Sequence, residues 1–456
     1  MRLLEIIIPL LLAIYLIWPH PRAFAIRLAP AITLVLTVLH FLVEGYRWQM
    51  IPLYALSLLL TLSSLIKIKK AVDWPAAASY LTLILLAVST ALPALLPVPS
   101  IPKPGGSMKV GTAIYELTDE ARKEIYSGVD EPRKFTVQIW YPATVQSENK
   151  IAPWMSRSDV YSPAISTFLN MPSFFLNHLA LANTPAYIDA PIAETNSPYP
   201  VILFSHGWNG FNAQNSEQVI QLASRGYVVV AVNHTYGAVA TVFSDGKIAN
   251  NNPSALPEDV SDAEYEIAAR KLVHQWAGDL AFTLDDLADG KQLPASLLDF
   301  NRIGVYGHST GGGAAIQFCG TDTRCKAVLG MDPFMRPVSA EVMANGVSQP
   351  AFFMFSQSWA EIVDSKNNQL FDQFQSVVSS SKGAITIQGT KHYDFSDLPL
   401  LSPIAPQLGL KGPLSGKRVT EIVDAYLIDF FEMTLNNQPS NLFNGDFTDF
   451  SEVKLK

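Results

Sequence analysis

Charge and cysteine are both scarce in this sequence of 456 residues. Charged side chains make up 16% of the chain, whereas soluble domains carry about 25%. Only two cysteines are present, which excludes a small scaffold held together by several disulfides. The 49% hydrophobic content excludes a disordered chain, because disordered segments are poor in apolar residues. The length alone predicts about three domains at roughly 150 residues each.

Glycine and acidic residues are nearly missing from the first hundred positions. Residues 1–100 hold one of the 26 glycines, Gly45, and seven Lys/Arg against three Asp/Glu. The remaining residues hold 25 basic and 37 acidic side chains. Such an acidic majority excludes nucleic acid as a partner, because it cannot neutralise phosphates. The contrast divides the chain into two parts, an apolar basic part over residues 1–100 and an acidic part over residues 101–456.

The first part contains four apolar runs, Leu3–Trp18, Leu28–Val43, Trp48–Ile66 and Ala76–Val98. A membrane-spanning helix needs roughly 20 apolar residues. The last two runs reach this length and the first two reach it only with their flanks. A cleaved signal peptide would explain the first run alone, and no small-residue cleavage site follows it. The runs therefore predict about four transmembrane helices and attachment to a lipid membrane.

Basic residues in the short loops predict how these helices are oriented. Five of them lie in the first and third loops and two lie on the opposite side: Arg22, Arg27, Lys67, Lys69 and Lys70 against Arg2 and Arg47. Loops rich in Lys and Arg stay in the cytoplasm. We therefore expect a multi-pass protein of the cytoplasmic (inner) membrane, with both termini and the second part of the chain outside the cytoplasm.

The two cysteines lie six residues apart, in "CGTDTRC" (residues 319–325). Cys319 and Cys325 could form a disulfide in an oxidising compartment, or they could be two buried thiols. Ahead of them, "PALLPVPSIPKPGGS" (residues 93–107) is rich in proline and glycine and predicts a linker between the two parts.

The second part has the pattern of a mostly parallel sheet with helices on both faces. Six short apolar runs predict strands that are buried on both sides: "VILFS" (201–205), "YVVVAVN" (227–233), "RIGVYG" (302–307), "KAVLGMD" (326–332), "AFFMFS" (351–356) and "AITIQG" (384–389). Near the C-terminus, apolar residues at helical spacing predict a helix that covers the sheet (419–431). The predicted fold class is α/β, of the α/β-hydrolase kind, preceded by an all-α transmembrane region.

The sequence "GHSTGGG" (307–313) contains a G-x-S-x-G motif. A predicted strand comes directly before it and a helical pattern directly after it. In this context the serine lies on a sharp turn that exposes its hydroxyl, and the flanking glycines leave room for neighbouring backbone. The motif therefore predicts Ser309 as a catalytic nucleophile.

A serine hydroxyl needs a neighbouring base, which in this fold follows the nucleophile along the chain, after an acid. His392 is the only histidine downstream of Ser309, and it follows a predicted strand. Asp332 ends the strand "KAVLGMD" and is the best candidate for the acid. Three other aspartates are weaker candidates, because one lies in a helical pattern and two lie too close to His392 in sequence: Asp364, Asp394 and Asp397.

An oxyanion hole needs two backbone N–H groups. Thr310 follows the nucleophile, and Trp208 lies in the loop "HGWNG" after the first of the six strands. These two are the predicted donors, and His206 is predicted to orient that loop. His234, His274 and His308 are expected to be ordinary packed or surface histidines. The sequence shows neither metal-ligand spacing nor a phosphate-binding loop, so we expect no cofactor and no metal.

Longer stretches around these motifs resemble the plasma-type (isoform II) platelet-activating factor acetylhydrolases. The likeness is carried by "FSHGWNGFNAQNSEQVIQLASRGYVVVAVNHT", "IGVYGHSTGGGAAI" and "KAVLGMDPFMRPVS", and it covers nearly all of residues 105–435. The resemblance implies an α/β-hydrolase acting as a calcium-independent lipase on short or oxidised acyl chains. It also implies a triad of Ser309, Asp332 and His392. The helices of residues 1–100 are absent from secreted animal members, which indicates a bacterial, membrane-anchored member.

The sequence therefore predicts a serine ester hydrolase that cleaves short acyl esters, with a small ester or phospholipid as substrate. Two alternatives remain open at this stage. One is a general carboxylesterase or a cutinase-like polyester hydrolase, because these enzymes share the same motif. The other is a membrane sensor whose hydrolase domain is not catalytic. The apolar segment Thr167–Leu181 is either part of the core or a cap, or a surface that contacts a lipid interface.

Overall fold

The structure is a computed structural model that describes residues 1–19, 21–69, 76–362, 365–443 and 450–456. Residues of the first part form α1 (Leu3–Ile17), α2 (Phe24–Arg27), α3 (Ala29–Val43), α4 (Ile51–Lys69) and α5 (Ala76–Leu95). The four predicted apolar runs are thus confirmed as helices. Lys70, one of the basic residues used to predict the orientation, lies outside the described residues.

Two of these helices are long and apolar enough to cross a membrane, over Trp48–Leu65 and Ala78–Leu95. The helices α1 and α3 are apolar but have 15 residues each. At 1.5 Å per residue such a helix is about 22 Å long, shorter than the roughly 30 Å of a bilayer core. That all four helices span a membrane stays a prediction.

A buried ion pair ties the helices together at the end that faces the rest of the chain. Glu5 and Arg47 are both fully buried, and their side chains lie 2.6 Å apart. Arg2 also contacts Glu5, at 2.7 Å, and Arg47 Nη1 donates to the carbonyl of Leu96 at 2.7 Å. Arg2 and Arg47 therefore lie at the same end of the bundle, as their predicted position on one side of a membrane requires.

The predicted linker begins later than expected. The helix α5 runs through Pro93 to Leu95, because a proline in the last turn removes only one hydrogen bond from the helix. Residues 97–107 then connect α5 to the second part without helix or strand.

Over its described residues, the second part is built on one sheet of eleven strands. Its first half contains β1 (Lys109–Lys123), β2 (Pro132–Ala143), β3 (Ile151–Pro153), α6 (Ser158–Phe168), β4 (Asn183–Ile188), β5 (Tyr199–Ser205), α7 (Ser216–Ala223) and β6 (Val228–Asn233). A separate hairpin of β7 (Ala240–Val242) and β8 (Ile248–Asn250) follows, and then the long helix α8 (Asp262–Ala288).

The second half contains β9 (Leu298–His308), α9 (Thr310–Thr321), β10 (Cys325–Met331), α10 (Ala340–Asn345), β11 (Ala351–Ser356), α11 (Gln357–Ala360), α12 (Lys366–Val377), β12 (Ser381–Ile387), α13 (Gly416–Leu435) and β13 (Val453–Leu455). The strand order across the sheet is β13-β12-β11-β10-β9-β5-β6-β2-β1-β4-β3.

The six predicted strands are confirmed and lie next to one another as the parallel centre of the sheet, from β6 through β5, β9, β10 and β11 to β12. Every residue of β5, β6 and β11 is buried, as expected for strands covered on both faces. The sequence did not predict β1 and β2, which pair antiparallel with each other and extend the sheet beyond β6.

Alternate residues of each central strand supply two hydrophobic cores. In β5, Ile202 and Phe204 pack on the side of α7 and α13, whereas Val201 and Leu203 pack on the side of α8, α9 and α12. The apolar residues of the predicted C-terminal helix are all buried in the first of these cores, and that prediction is confirmed. The mixed α/β architecture with helices on both faces is therefore as predicted.

Candidate active site

Ser309 stands at the sharp turn between β9 and α9. Its φ of +55° lies in the left-handed region, which a residue with a side chain occupies only at a cost in free energy. The turn leaves no room for side chains at its glycines. A Cβ on Gly307 would lie 2.2 Å from the Gly311 carbonyl oxygen, and one on Gly311 would lie 2.1 Å from the Ser205 carbonyl oxygen. The geometry is that of a nucleophile elbow.

His392 and Asp332 come together as a hydrogen-bonded pair. Asp332 directly follows β10 and is fully buried, and its Oδ2 lies 2.9 Å from His392 Nδ1. Ser356 donates twice to the same carboxylate, from its backbone N–H at 2.8 Å and from its hydroxyl at 2.6 Å. The structure therefore brings together the acid and the base that the sequence predicted.

The other aspartates considered for the acid have different partners. Asp394 accepts from the backbone N–H groups of Lys391 and Gly412. Asp397 accepts from Trp154 Nε1 at 2.8 Å and from the N-terminus of α7. Asp364 lies outside the described residues. Of the described candidates, Asp332 is thus the one that pairs with His392.

Burial sets the protonation of the pair. It lowers the pKa of His392 to about 4, because an apolar environment disfavours the charged imidazole. The imidazole is therefore neutral at pH 7, with Nδ1–H directed at Asp332 and Nε2 free to accept a proton. Burial also raises the pKa of Asp332, against the two hydrogen bonds from Ser356 that favour its carboxylate. The indole of Trp359 stacks on the His392 ring, with centroids 4.3 Å apart.

Ser309, His392, Trp208 and Thr310 line one cleft of about 320 Å³. The loop of Trp208 runs directly past the nucleophile, since a Cβ on Gly207 would lie 3.2 Å from the Ser309 Cβ. Over the described part of the chain, the backbone N–H groups of Trp208 and Thr310 donate to no protein acceptor. Both predicted donors are therefore available to a charge that develops next to Ser309.

Two of the histidines that the sequence assigned to ordinary packing are buried, as expected, and each has specific hydrogen-bond partners. His308 Nε2 donates to the backbone carbonyl of His392 at 2.9 Å and so supports the base. His234 is fully buried between Ser205 and Asp279, at 2.9 Å from each. His274 is exposed, as expected. His206 contacts the Gly207 carbonyl at 2.7 Å, which fits its predicted role in orienting the loop.

The segment Thr167–Leu181 is a cap and part of the core. Phe168 lines the cleft, and Leu179 is buried in the hydrophobic core. The ring of Phe174 packs edge-on against Trp48 at the start of the candidate span, with centroids 5.5 Å apart. The segment therefore connects the cleft to the N-terminal helices.

The described residues contain one group that could hold a metal ion, Glu5, His40 and Glu44, whose ligand atoms lie within 4.8 Å of one another. Two guanidinium groups already occupy its surroundings, because Arg2 and Arg47 both pair with Glu5. This charge pattern does not fit a cation. The group is also remote in sequence and fold from the cleft around Ser309.

Comparison with known proteins agrees with this geometry. A sequence model of the family described as "Platelet-activating factor acetylhydrolase, isoform II" matches residues 97–287 and 277–449. The platelet-activating factor acetylhydrolase of Cavia porcellus is 27% identical over 376 residues, which cover 76% of this chain and 82% of the relative. The enzyme of the same name from Gallus gallus is 25% identical over 338 residues, which cover 66% of this chain and 78% of the relative.

Among solved structures, a ferulic acid esterase from Streptomyces cinnamoneus shares the fold, with a TM-score of 0.65 and 24% identity. The match covers 78% of this chain and 99% of the esterase. The fold, the elbow and the family match lead to the same conclusion: this chain is a serine ester hydrolase of the α/β-hydrolase fold that belongs to the platelet-activating factor acetylhydrolase isoform II family.

Proposed function

We propose that this chain hydrolyses short acyl esters of phospholipids, with Ser309 as nucleophile, His392 as general base and Asp332 as the partner of the base. One observation carries the assignment. The hydrogen-bonded pair of His392 and Asp332, with 2.9 Å between Nδ1 and Oδ2, opens onto the same cleft as a serine held on a strained elbow. These are the groups that acyl transfer through a serine requires.

The reaction proceeds in two halves. Neutral His392 takes the Ser309 hydroxyl proton at Nε2 while Oγ bonds to the ester carbonyl carbon. The carbonyl electron pair moves onto oxygen, and when it returns, the bond to the alcohol breaks and the alcohol leaves with the proton from His392. Water then attacks the acyl-serine in the same way, which releases the acid and restores Ser309. Asp332 holds the imidazole in the required tautomer and stabilises its transient positive charge.

The oxyanion of each half-reaction is stabilised by the backbone N–H groups of Trp208 and Thr310, two residues that line the cleft and whose N–H groups have no acceptor in the described part of the chain. The chain itself supplies the nucleophile, the base and both donors. We therefore expect the activity to be independent of calcium. Hydrolysis should persist at full rate in excess EDTA, whereas a loss that added calcium restores would contradict this part of the proposal.

The preference for a lipid ester is supported by the family and by the aromatic side chains in the wall of the cleft, among them Phe168, Tyr265 and Phe334. The test compares kcat/KM on a phospholipid with a short sn-2 acyl chain and on a soluble ester of equal acyl length. A higher value on the phospholipid supports the proposal. Equal or higher values on the soluble ester would instead identify a general carboxylesterase or a polyester hydrolase.

We place the catalytic part outside the cytoplasm, attached to the cytoplasmic membrane by the N-terminal helices. The basic residues of the first and third loops support this orientation. The disulfide between Cys319 and Cys325 also supports it, because disulfides persist in oxidising compartments. A reporter that is active only in the cytoplasm, fused to the C-terminus, should be inactive. An active reporter would show that the orientation is reversed.

A further inference from the structure

A narrow apolar pocket adjoins the active-site cleft. One wall comes from the segment between the end of α6 and Leu179, an opposite wall from the segment after His392, and a third from the loop that carries Trp208. The apolar residues of the first two walls include Ile165, Leu169, Leu179, Leu398 and Leu401. The pocket and the cleft share five wall residues, among them Trp208 and Tyr393. An apolar group in the pocket is thus separated from the reacting ester only by side chains that line both spaces.

The segments that form the two opposite walls of this pocket are hydrogen-bonded to the ends of the two candidate membrane spans. On one side, Trp48 Nε1 donates to the Phe175 carbonyl at 3.0 Å, and Gln49 Nε2 lies 2.8 Å from His178 Nδ1. On the other side, the hydroxyl of Ser402 donates to the Leu95 carbonyl at 2.6 Å. Trp48 begins one candidate span and Leu95 ends the other. The pocket therefore lies between two segments that are both held at the level of the helix ends.

We propose that this pocket binds the hydrocarbon chain of an ester lipid that enters from the bilayer. The proposal rests on the proposed function and on the N-terminal helices lying in a membrane. A lipid at the helix ends would reach the pocket without crossing water, and its ester group would reach Ser309 while a few methylenes of the chain lie in the pocket, whose volume is about 80 Å³. Each methylene that moves from water into such a pocket strengthens binding about fourfold.

The test fills the pocket in the full-length enzyme. Leu169 is half-buried in its wall, so Leu169→Trp should occupy the space without disturbing the core. Leu408 is 45% exposed on a surface loop, so Leu408→Trp is the matched control. The enzyme is reconstituted in phosphatidylcholine vesicles and assayed on a phospholipid with a hexadecyl sn-1 chain and an sn-2 acetyl ester, and separately on p-nitrophenyl acetate.

We expect Leu169→Trp to lower kcat/KM on the phospholipid at least about tenfold and to change that on p-nitrophenyl acetate less than about twofold. Leu408→Trp should change neither value. An equal loss on both substrates, or a loss on neither, would overturn the pocket assignment. If Leu169→Trp does not fold, Leu401→Trp fills the pocket from the opposite wall. Absence of p-nitrophenyl acetate hydrolysis in the unaltered enzyme would instead refute the proposed function.

A different observation carries a second inference, about residues that never touch the substrate. A buried hydrogen-bond network joins Ser205, His234 and Asp279. The distance is 2.9 Å from Ser205 Oγ to His234 Nε2 and 2.9 Å from His234 Nδ1 to Asp279 Oδ2. All three are fully buried, and none lines the cleft. They repeat the residue types of a catalytic triad in a place that a substrate cannot reach.

The hydrogen bonds continue from His234 to the loop that carries Trp208. The backbone N–H of His234 donates to His206 Nε2 at 3.1 Å, and His206 Nδ1 donates to the Gly207 carbonyl at 2.7 Å. The indole of Trp276 stacks on His234 with centroids 4.2 Å apart, which fixes the plane of the ring. We infer that Ser205, His234 and Asp279 are positioning residues that aim the Trp208 N–H at the oxyanion. This inference also rests on the proposed function.

The test compares an ester with its thionoester, because the sulfur of C=S is a poor acceptor and gains little from an oxyanion hole. Ser205→Ala should lower kcat on p-nitrophenyl acetate about tenfold with KM changed less than about twofold, and should lower kcat on the thionoacetate much less. The control is Ser224→Ala, a buried serine whose hydroxyl donates to the Gln221 carbonyl at 2.8 Å, and it should change neither rate. Equal losses on ester and thionoester, or no loss, would overturn the inference.

Discussion

Serine, histidine and aspartate occur together at two places in this protein, at the cleft and in the buried hydrogen-bond network. The serine is reactive at the first place and structural at the second. Around the cleft, the His392 side chain is 21% exposed, and no Lys or Arg of the described residues forms an ion pair with its partner Asp332. In the buried hydrogen-bond network, His234 is fully buried, and Asp279 forms ion pairs with Arg133 at 2.7 Å and with Arg122 at 2.9 Å. The comparison teaches that accessibility and counter-charge, rather than residue identity, separate a reactive serine from a structural one.

The charge environment of the two aspartates differs accordingly. Burial alone would raise the pKa of Asp279, but the Arg133 and Arg122 guanidinium groups and His234 hold that pKa well below its usual range. Burial raises the pKa of Asp332, whose side chain has Ser356 and His392 as its hydrogen-bond partners among the described residues. Asp279 is therefore a fixed negative charge in an ion-pair network, whereas Asp332 responds to the protonation of its histidine.

The largest difference is expected between the two serines. Ser309→Ala removes the nucleophile and should lower kcat on a short-chain p-nitrophenyl ester by a factor of about 10⁴ or more. Ser205→Ala leaves the nucleophile in place, so its loss of kcat should be only about tenfold. Steady-state kinetics on both purified variants, with their melting temperatures as a control for folding, measure the difference. More than a trace of activity in Ser309→Ala would refute its role.

The two aspartates should separate activity from stability. Asp332→Asn should lower kcat about 10⁴-fold, because the amide no longer fixes the tautomer of His392, and should change the free energy of unfolding by less than about 1 kcal/mol. Asp279→Asn removes the carboxylate shared by the fully buried Arg133 and the partly exposed Arg122, which keep Glu124 and Asp119 as partners, and should cost about 2–3 kcal/mol of stability. Denaturant unfolding and kinetics on the same preparations distinguish these outcomes. Similar stabilities for the two variants would contradict the assigned environments.

The pH dependence of kcat/KM tests the environment of the base. His392 must be neutral to accept a proton, and burial lowers its pKa. Activity should therefore fall on acidification with a midpoint below 6.5, the ordinary value for histidine. A midpoint at or above 6.5, measured on p-nitrophenyl acetate in buffers of constant ionic strength, would contradict this environment.

The smallest effect is expected at Ser356. Its hydroxyl donates to Asp332 Oδ2 at 2.6 Å, and Ser356→Ala removes one of the two hydrogen bonds that favour the carboxylate. We expect kcat to fall about threefold to tenfold. A rate that does not change would show that the backbone N–H of Ser356 and His392 are enough to hold Asp332.

Much of this molecule could be read from its sequence. Six apolar runs predicted the parallel centre of the sheet. Sequence patterns also predicted Ser309, Asp332 and His392, from the G-x-S-x-G motif, the position after β10 and the one histidine downstream of the motif. Local patterns are enough to predict these residues, because each of them follows a strand at the carboxyl ends of the parallel strands.

The sequence did not predict the antiparallel strands β1 and β2 or the buried hydrogen-bond network around Asp279. Asp279 lies inside α8 without any local motif, and its partner Arg133 is 146 residues away in sequence. A single sequence does not show such pairings, since they depend on how α8 packs on the sheet. The contacts of Trp48 and Leu95 with the hydrolase part escaped prediction for the same reason.

Chemical labelling shows directly which serine of this protein is the activated nucleophile. The intact protein is treated with a fluorophosphonate, which reacts with an activated serine, and the modified residue is identified by mass spectrometry of its peptides. We expect modification at Ser309 alone, retained in Ser205→Ala and lost in Ser309→Ala. Modification at Ser205, or no modification of the folded protein, would contradict this expectation.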